Sequence, residues 1–309
     1  MIKITAEHTK IVLIISSVVI LMVLRKIFKS HEKMNLKLIE HKTVVVTGAS
    51  SGIGASYVKY FAEHGFDVIM TARRQKNMEE IKESLKHCNV KITVFPSDLQ
   101  TDEGVNSLVK FVRDYNQPIG AFVSNAGIAY FPVDFTDSPR EEYTKIINLH
   151  VNKTTDLIQK IGQLFKEQKS GVFVQVASGL GIVNYPMLQI YSATKAYLVS
   201  LIRSVNQEAK AYGVKYIAVC PLWVATPMTY TSKSNFFFAS SDRLVKDFFC
   251  GSWANSSISP YWVHRALLKI WLSMSEKRRM EHVHGQAKEA QKRLARKKAS
   301  LEAEAYKQQ

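Results

Sequence analysis

Tyr191 is followed four residues later by Lys195 in the stretch QIYSATKAY, and that pair can do proton chemistry. Four residues are one helical turn plus a little, so on a helix both side chains share a face. An ammonium beside a phenol stabilises the phenolate and draws the phenol pKa down from about 10 toward working pH. Such a phenol can give a proton to a carbonyl oxygen while a hydride reaches the carbon. Spacing alone decides little: a chain with 13 Tyr is expected to hold about one such pair by chance. The chemistry also requires a hydride carrier, a second hydrogen-bond donor and a scaffold that unites them.

The carrier is written upstream, in KTVVVTGASSGIGASYVKYFAEHGFDVIMTARR at residues 42–74. The opening β-branched run is of the kind that forms a buried parallel strand. A glycine turn follows at Gly48, Gly52 and Gly54, enclosing Ser50, Ser51 and Ile53. A helix with Tyr57, Tyr60 and Phe61 on one face comes next, then a second strand, FDVIMT. Glycines in such a turn let backbone N–H groups approach a pyrophosphate, and the helix N-terminus adds partial positive charge. At the end of the second strand an acidic residue would hold the ribose 2′-OH of NAD. Arg73 and Arg74 stand there instead, and their guanidiniums suit a 2′-phosphate. The expected cofactor is therefore NADP(H), with Arg73 as the main contact.

Placed together, TGASSGIG and YSATK resemble the signature of the short-chain dehydrogenase/reductase family, over roughly residues 42–275. Further landmarks follow in the family's order. SDL at 97–99 resembles its adenine-contacting segment, with Asp98 as the contact, and SNAG at 124–127 resembles its turn formed by Asn125, Ala126 and Gly127. The resemblance makes Asn148, Ser178, Tyr191 and Lys195 the catalytic set. It implies that Ser178 hydrogen-bonds the developing oxyanion and that Asn148 holds a water relaying protons through Lys195. Tyr191 and Lys195 would also meet the cofactor, Lys195 at the nicotinamide ribose. Pro221, Val224 and Thr226 in PLWVATPMT match the stretch that contacts the carboxamide and the pyrophosphate. Ser178, Tyr185 and Tyr191 would face the substrate. Leu222 departs from the pattern, because the family usually writes glycine there. The implied fold is α/β: a Rossmann-type, doubly wound, mostly parallel seven-stranded sheet with helices on both faces.

The missing glycine, the stretch SGLGIVNYPMLQIYSATKAY and the run VHRALL resemble a membrane-bound branch. That branch includes the very-long-chain 3-oxoacyl-CoA reductases and 17β-hydroxysteroid dehydrogenases. The resemblance implies reduction of a lipid ketone, foremost a 3-oxoacyl-CoA in fatty-acid elongation. A ketosteroid or 3-ketosphinganine is the alternative substrate. A non-catalytic NADPH-binding membrane adaptor is the alternative of another class, and the intact Ser178–Tyr191–Lys195 set argues against it. The family also dimerises through the helices containing Asn148 and Tyr191, which implies a homodimer. Phe236, Phe237 and Phe238 can line an apolar pocket, dip into lipid or close the core.

The net charge of +16 sits mostly at the ends: residues 1–42 carry 8 basic and 3 acidic side chains, residues 276–309 carry 10 and 5, and the 233 between carry 24 and 18. Residues 11–24 hold no charge, and Ile27 and Phe28 extend the apolar run. As a helix, 11–28 would be roughly 27 Å long, which suits a thin, ER-like bilayer. More basic residues follow it than precede it, so the next domain is expected to face the cytosol. Three segments result: a membrane anchor and basic linker at 1–41, an NADP-binding reductase domain at 42–275, and a charged helical or disordered tail at 276–309. The expected setting is the endoplasmic reticulum membrane, crossed once, with membrane lipids as partners. No recognition fold accompanies the basic tail, so nucleic acid is not expected. Cys88, Cys220 and Cys250 lie far apart without histidine clusters, so neither a disulfide framework nor a metal site is expected.

Overall fold

The structure, a computed structural model, describes residues 35–231 and 233–307. The anchor expected at 11–28 lies outside the described residues. Among the described residues, no helix is long and apolar enough to cross a membrane.

Strand β1 (Thr43–Thr47) is buried along its whole length. It sends Val44 and Val46 to one face of the sheet and Val45 to the other, as the two-residue strand period requires. Helix α1 (Gly52–Glu63), β2 (Asp67–Ala72), α2 (Gln75–Ser84) and β3 (Ile92–Pro96) follow. Helix α3 (Asp102–Arg113) then leads to β4 (Ile119–Ser124). Next come α4 (Arg140–Ile147), a π-helical stretch (Asn148–Lys153), α5 (Thr154–Gln168) and β5 (Gly171–Val176). The short α6 (Leu180–Val183) precedes the long α7 (Gln189–Ala209) and β6 (Val214–Val219). The rest comprises β7 (Val224–Ala225), β8 (Ala239–Ser240), α8 (Ser241–Cys250), β9 (Ser257–Ile258), α9 (Trp262–Ser273) and α10 (Glu276–Lys307).

Seven strands form one sheet in the order β3-β2-β1-β4-β5-β6-β9, and every pairing in it is parallel. Both faces are covered. Tyr57 and Phe61 of α1, with Phe248 and Phe249 of α8, pack on Val44, Val46 and Met70. Leu108 of α3, Ile161 of α5 and Leu198 of α7 pack on Val45, Ile69, Phe122 and Phe173. Each side chain of this size is worth about 1.5–3 kcal/mol on burial. The strand order reverses at β1, where β2 leaves one side and β4 pairs on the other. A crevice opens at the carboxyl ends of strands at such a reversal.

The last helix departs from a solvated tail. Val283 and Ala287 of α10 are fully buried against Leu180, Val183, Tyr185, Met187, Leu222, Leu268 and Trp271. Gln291 Nε2 donates to Pro132 O at 2.9 Å. Two small apolar residues one turn apart are enough to seat the helix, which is why its charged composition gave little sign of docking.

Candidate active site

Gly48, Arg73, Arg74, Asp98, Asn125, Ser178 and Pro221 follow closely on the carboxyl ends of strands, whereas Asn148, Tyr191 and Lys195 are carried on helices. The turn after β1 shows why glycine is needed. Gly48 and Gly52 sit at φ +63° and +55°, and a Cβ on Gly54 would lie 2.3 Å from Gly48 O. A groove runs along this turn, lined by Gly48, Ser50, Ser51, Gly52, Ile53, Arg73, Arg74, Asp98, Asn125, Ala126, Gly127 and Thr226. Gly54, Pro221 and Val224 do not line it. Gly54 instead allows the close approach of α1 to the turn, Pro221 O accepts from Gly179 N at 2.7 Å, and Val224 is buried in β7.

Asn125 stitches two strand ends together. Its Nδ2 donates to Thr47 O at 3.0 Å and to Gly48 O at 3.3 Å. Its backbone N–H and that of Ala126 donate to Thr47 Oγ1 at 2.9 and 3.0 Å. At the far wall, Arg74 Nη2 donates to Ser50 Oγ at 3.1 Å and to Ser51 Oγ at 2.8 Å, so Arg74 braces the turn and Arg73 lines the groove beside it. The cradle and the two guanidiniums fit a phosphorylated dinucleotide: backbone N–H groups for the pyrophosphate, positive charge for a further phosphate.

The proton-handling side chains meet where β5 ends. Ser178 is buried, and its Oγ accepts from Leu180 N at 3.2 Å. Tyr191 and Lys195 share a face of α7, with Lys195 Nζ 5.6 Å from the Tyr191 ring centroid. Lys195 is 4% exposed and donates to Val176 O at 3.1 Å. The expected lowering of the Tyr191 pKa is not what this geometry gives. Burial pushes the phenol up to about 12, against a smaller opposing effect of a hydrogen bond from Ser178. Burial likewise draws Lys195 down to about 8. The ammonium points at a backbone carbonyl and over the ring, so loss of water outweighs the attraction between the two groups.

Asn148 opens the π-helical stretch, and its Nδ2 donates to Gln100 O at 2.9 Å. A π-turn inside a helix frequently marks a functional site. The same turn brings in a residue that sequence reasoning passed over. His150 is 1% exposed, lies edge-on to Tyr191 with ring centroids 5.7 Å apart, and reaches Ile128 and Thr194. A second buried histidine, His264, accepts from Leu222 N at 3.2 Å through Nδ1 and donates from Nε2 to Phe237 O at 3.2 Å. It ties the turn after β6 to the phenylalanine loop. The signal for His264 was a histidine within a largely apolar helical stretch; His150, in NLHVNK, carried no such signal. No group of residues able to hold a metal ion occurs among the described residues.

Beside Tyr185 a cavity of about 810 Å³ is walled by Trp223, Phe237, Phe238, Leu267 and Trp271, and by Glu281, His282, Gln286, Glu289 and Arg293 of α10. Tyr185 and Trp271 belong to the apolar cluster on which Tyr191 and Trp223 also pack. Phe236 stays outside, 56% exposed, against the exposed ring of Trp262.

A family model described as short chain dehydrogenase matches residues 42–235. The chain belongs to the short-chain dehydrogenase family. It is therefore an oxidoreductase of that family. It is similar to the very-long-chain 3-oxoacyl-CoA reductase of Anas platyrhynchos, with 30% identity over 206 residues, 65% of this chain and 66% of that protein. The Homo sapiens protein of the same name is 26% identical over 230 residues, 73% of each chain. Among solved structures, a short-chain dehydrogenase from Sphingobium yanoikuyae in complex with NADPH superposes with a TM-score of 0.66 at 25% identity, covering 75% of this chain and 96% of that one. In this family member two buried histidine bridges and a cavity wall supplied by α10 lie beside the residues singled out in the sequence.

Proposed function

We propose that this chain is an NADPH-dependent carbonyl reductase whose substrate is a lipid ketone, foremost a 3-oxoacyl-CoA. The observation that carries the reading is the aromatic cavity beside Tyr185, which shares its apolar cluster with Tyr191. A site of that size and lining suits a long apolar substrate with few polar groups. Relatives named very-long-chain 3-oxoacyl-CoA reductase support the acyl-CoA class. So does the basic excess of the middle segment, because CoA carries several negative charges.

NADPH, when bound along the glycine turn, supplies the hydride. The chain's own residues do the rest. Arg73 meets the 2′-phosphate, Arg74 holds the turn through Ser50 and Ser51, and Asp98 meets the adenosine end. Tyr191 stays a phenol at neutral pH because burial holds its proton on, and the phenol is the form that can donate to the carbonyl oxygen. Ser178 hydrogen-bonds that oxygen as charge develops. Lys195 orients the ribose, and Asn148 holds the water through which it is recharged with protons.

The reading sets the enzyme on the endoplasmic reticulum membrane, domain toward the cytosol, as a homodimer. The apolar run 11–28 and the basic residues after it support the membrane part. The test is NADPH consumption by detergent-solubilised full chain with 3-oxoacyl-CoAs, ketosteroids and 3-ketosphinganine side by side, NADH as control and Tyr191→Phe as blank. Acyl-CoA turnover lost in the variant is the expected result. Turnover of a ketosteroid without any 3-oxoacyl-CoA would overturn the substrate assignment.

A further inference from the structure

The hydrogen bonds around His150 leave only one arrangement of its protons. Ile128 N–H points at Nε2 across 3.1 Å, and an N–H can only donate, so Nε2 is the bare nitrogen. Nδ1 therefore bears the proton and donates to Thr194 Oγ1 at 3.0 Å. The Thr194 hydroxyl, having accepted, donates to Tyr191 O at 2.8 Å. Each donor and acceptor in this chain is used once, and the imidazole is neutral.

That chain of bonds joins two parts of the site that the backbone keeps apart. Ile128 follows the turn Asn125–Gly127 that lines the cofactor groove. Thr194 lies next to Lys195 on α7 and bonds the backbone of Tyr191. Between them stands Gly127: a Cβ there would lie 3.1 Å from His150 Nε2 and 3.6 Å from Lys195 Nζ. A rigid ring with an acceptor on one edge and a donor on the other sets the width of this gap. An apolar residue would fill the volume, leave the Ile128 N–H without its acceptor and leave Thr194 Oγ1 with only its bond to Tyr191 O.

We propose that His150 is a positioning residue for the reduction: as a neutral Nδ1–H imidazole it fixes the separation between the cofactor-lining turn and the helix that carries Tyr191 and Lys195. This rests on the reductase reading above. Protonating His150 would replace the acceptor facing Ile128 with a donor and put a second positive charge near Lys195. Burial, and then the Lys195 charge, hold its pKa well below the usual 6.5. The groups facing it from α7 are Tyr191 and Lys195; the turn 125–128 carries none that titrate, and Lys153 on its own π-helical stretch is paired with Asp102.

The experiment compares wild type with His150→Leu, His150→Gln and Thr194→Val, measuring kcat, KM for NADPH, NADPH affinity by fluorescence and the pH profile of kcat. His150→Leu is expected to lower kcat about tenfold or more, as a small misplacement of reacting groups does, with NADPH affinity changed far less. His150→Gln, which keeps an acceptor and a donor, should recover part of the loss. Thr194→Val cuts the same chain of bonds at its other end, so it reports even where His150→Leu does not fold. Wild type should lose kcat on the acid side with a limb that His150→Leu and His150→Gln lack. An active wild type whose kcat and acid limb are unchanged in all three variants would overturn the proposal. A wild type that binds NADPH and reduces no carbonyl would overturn the reductase reading instead. Nitrogen NMR of the imidazole is the independent readout: an Nδ1–H neutral ring is expected, and an Nε2–H or charged ring at neutral pH would refute the clip whatever the activity.

Discussion

Leu222 occupies the space that Gly179 leaves open. A Cβ on Gly179 would lie 2.6 Å from Leu222 Cδ2 and 3.4 Å from Leu268 Cδ2. Gly179 N–H also donates to Pro221 O at 2.7 Å. The turns after β5 and β6 thus close on each other through one backbone bond and one leucine. The family's customary glycine is absent from position 222, and here a glycine at position 179 receives the added bulk.

Gly179→Ala should therefore destabilise the fold by about 1–3 kcal/mol, the range for overpacking a filled site. In a Leu222→Ala background the same change should cost less, because the methyl then has room, although Leu222→Ala is itself destabilising. Denaturant unfolding of both single variants and the double decides this. Additive effects would mean that the two residues do not share the space.

Arg73 and Arg74 divide their work. Arg74→Ala removes the bonds to Ser50 and Ser51, so it should loosen the turn and weaken NADPH and NADH alike. Arg73→Glu should instead weaken NADPH selectively and raise the NADH-to-NADPH ratio of kcat/KM by at least about tenfold, since a charge that met a phosphate now repels it. Steady-state kinetics with both cofactors separates the two outcomes. Equal loss for both cofactors in Arg73→Glu would remove it as the 2′-phosphate contact.

Lys195 exacts a stability cost that its chemistry requires. Burial draws its pKa down to about 8 from the ordinary 10.5. Between those values the unfolded chain holds a proton that the folded chain has shed, so this group makes stability rise with pH across that window. Below about pH 8 the full cost is present. Lys195→Met should stabilise the cofactor-free protein on the order of 3 kcal/mol at neutral pH, less whatever is lost at Val176 O, and should abolish turnover. Chemical denaturation at neutral pH and near pH 10.5 would show the gain shrinking at the upper end.

The cofactor side was legible because it depends on local sequence. The glycine turn, the two arginines and the Tyr–Lys spacing are each written within a few residues and follow strands of plain β-branched character. What escaped depends on partners far along the chain. His150 bonds a backbone N–H 22 residues away and a hydroxyl 44 residues away, and neither partner has a recognisable residue type. The resemblance gave seven strands, but the place of the last, Ser257–Ile258, depends on its pairing with Ala218 and Val219. The upward shift of the Tyr191 pKa is hidden from the sequence for a related reason. Spacing reveals the ammonium, while the loss of water around the phenol is a property of the packed helix.

Helix α10 lies beyond the stretch that the family model covers, residues 42–235, yet it forms one side of the large cavity. One wall of that cavity is consequently encoded apart from the residues of the cofactor groove, while Tyr185 and Trp223 on its other walls lie inside the family stretch. On the proposed function, changes in the last helix retune which molecules the cavity admits while leaving the glycine turn, Tyr191 and Lys195 as they are. A line of descent could keep one chemistry and exchange its diet by editing a single terminal segment.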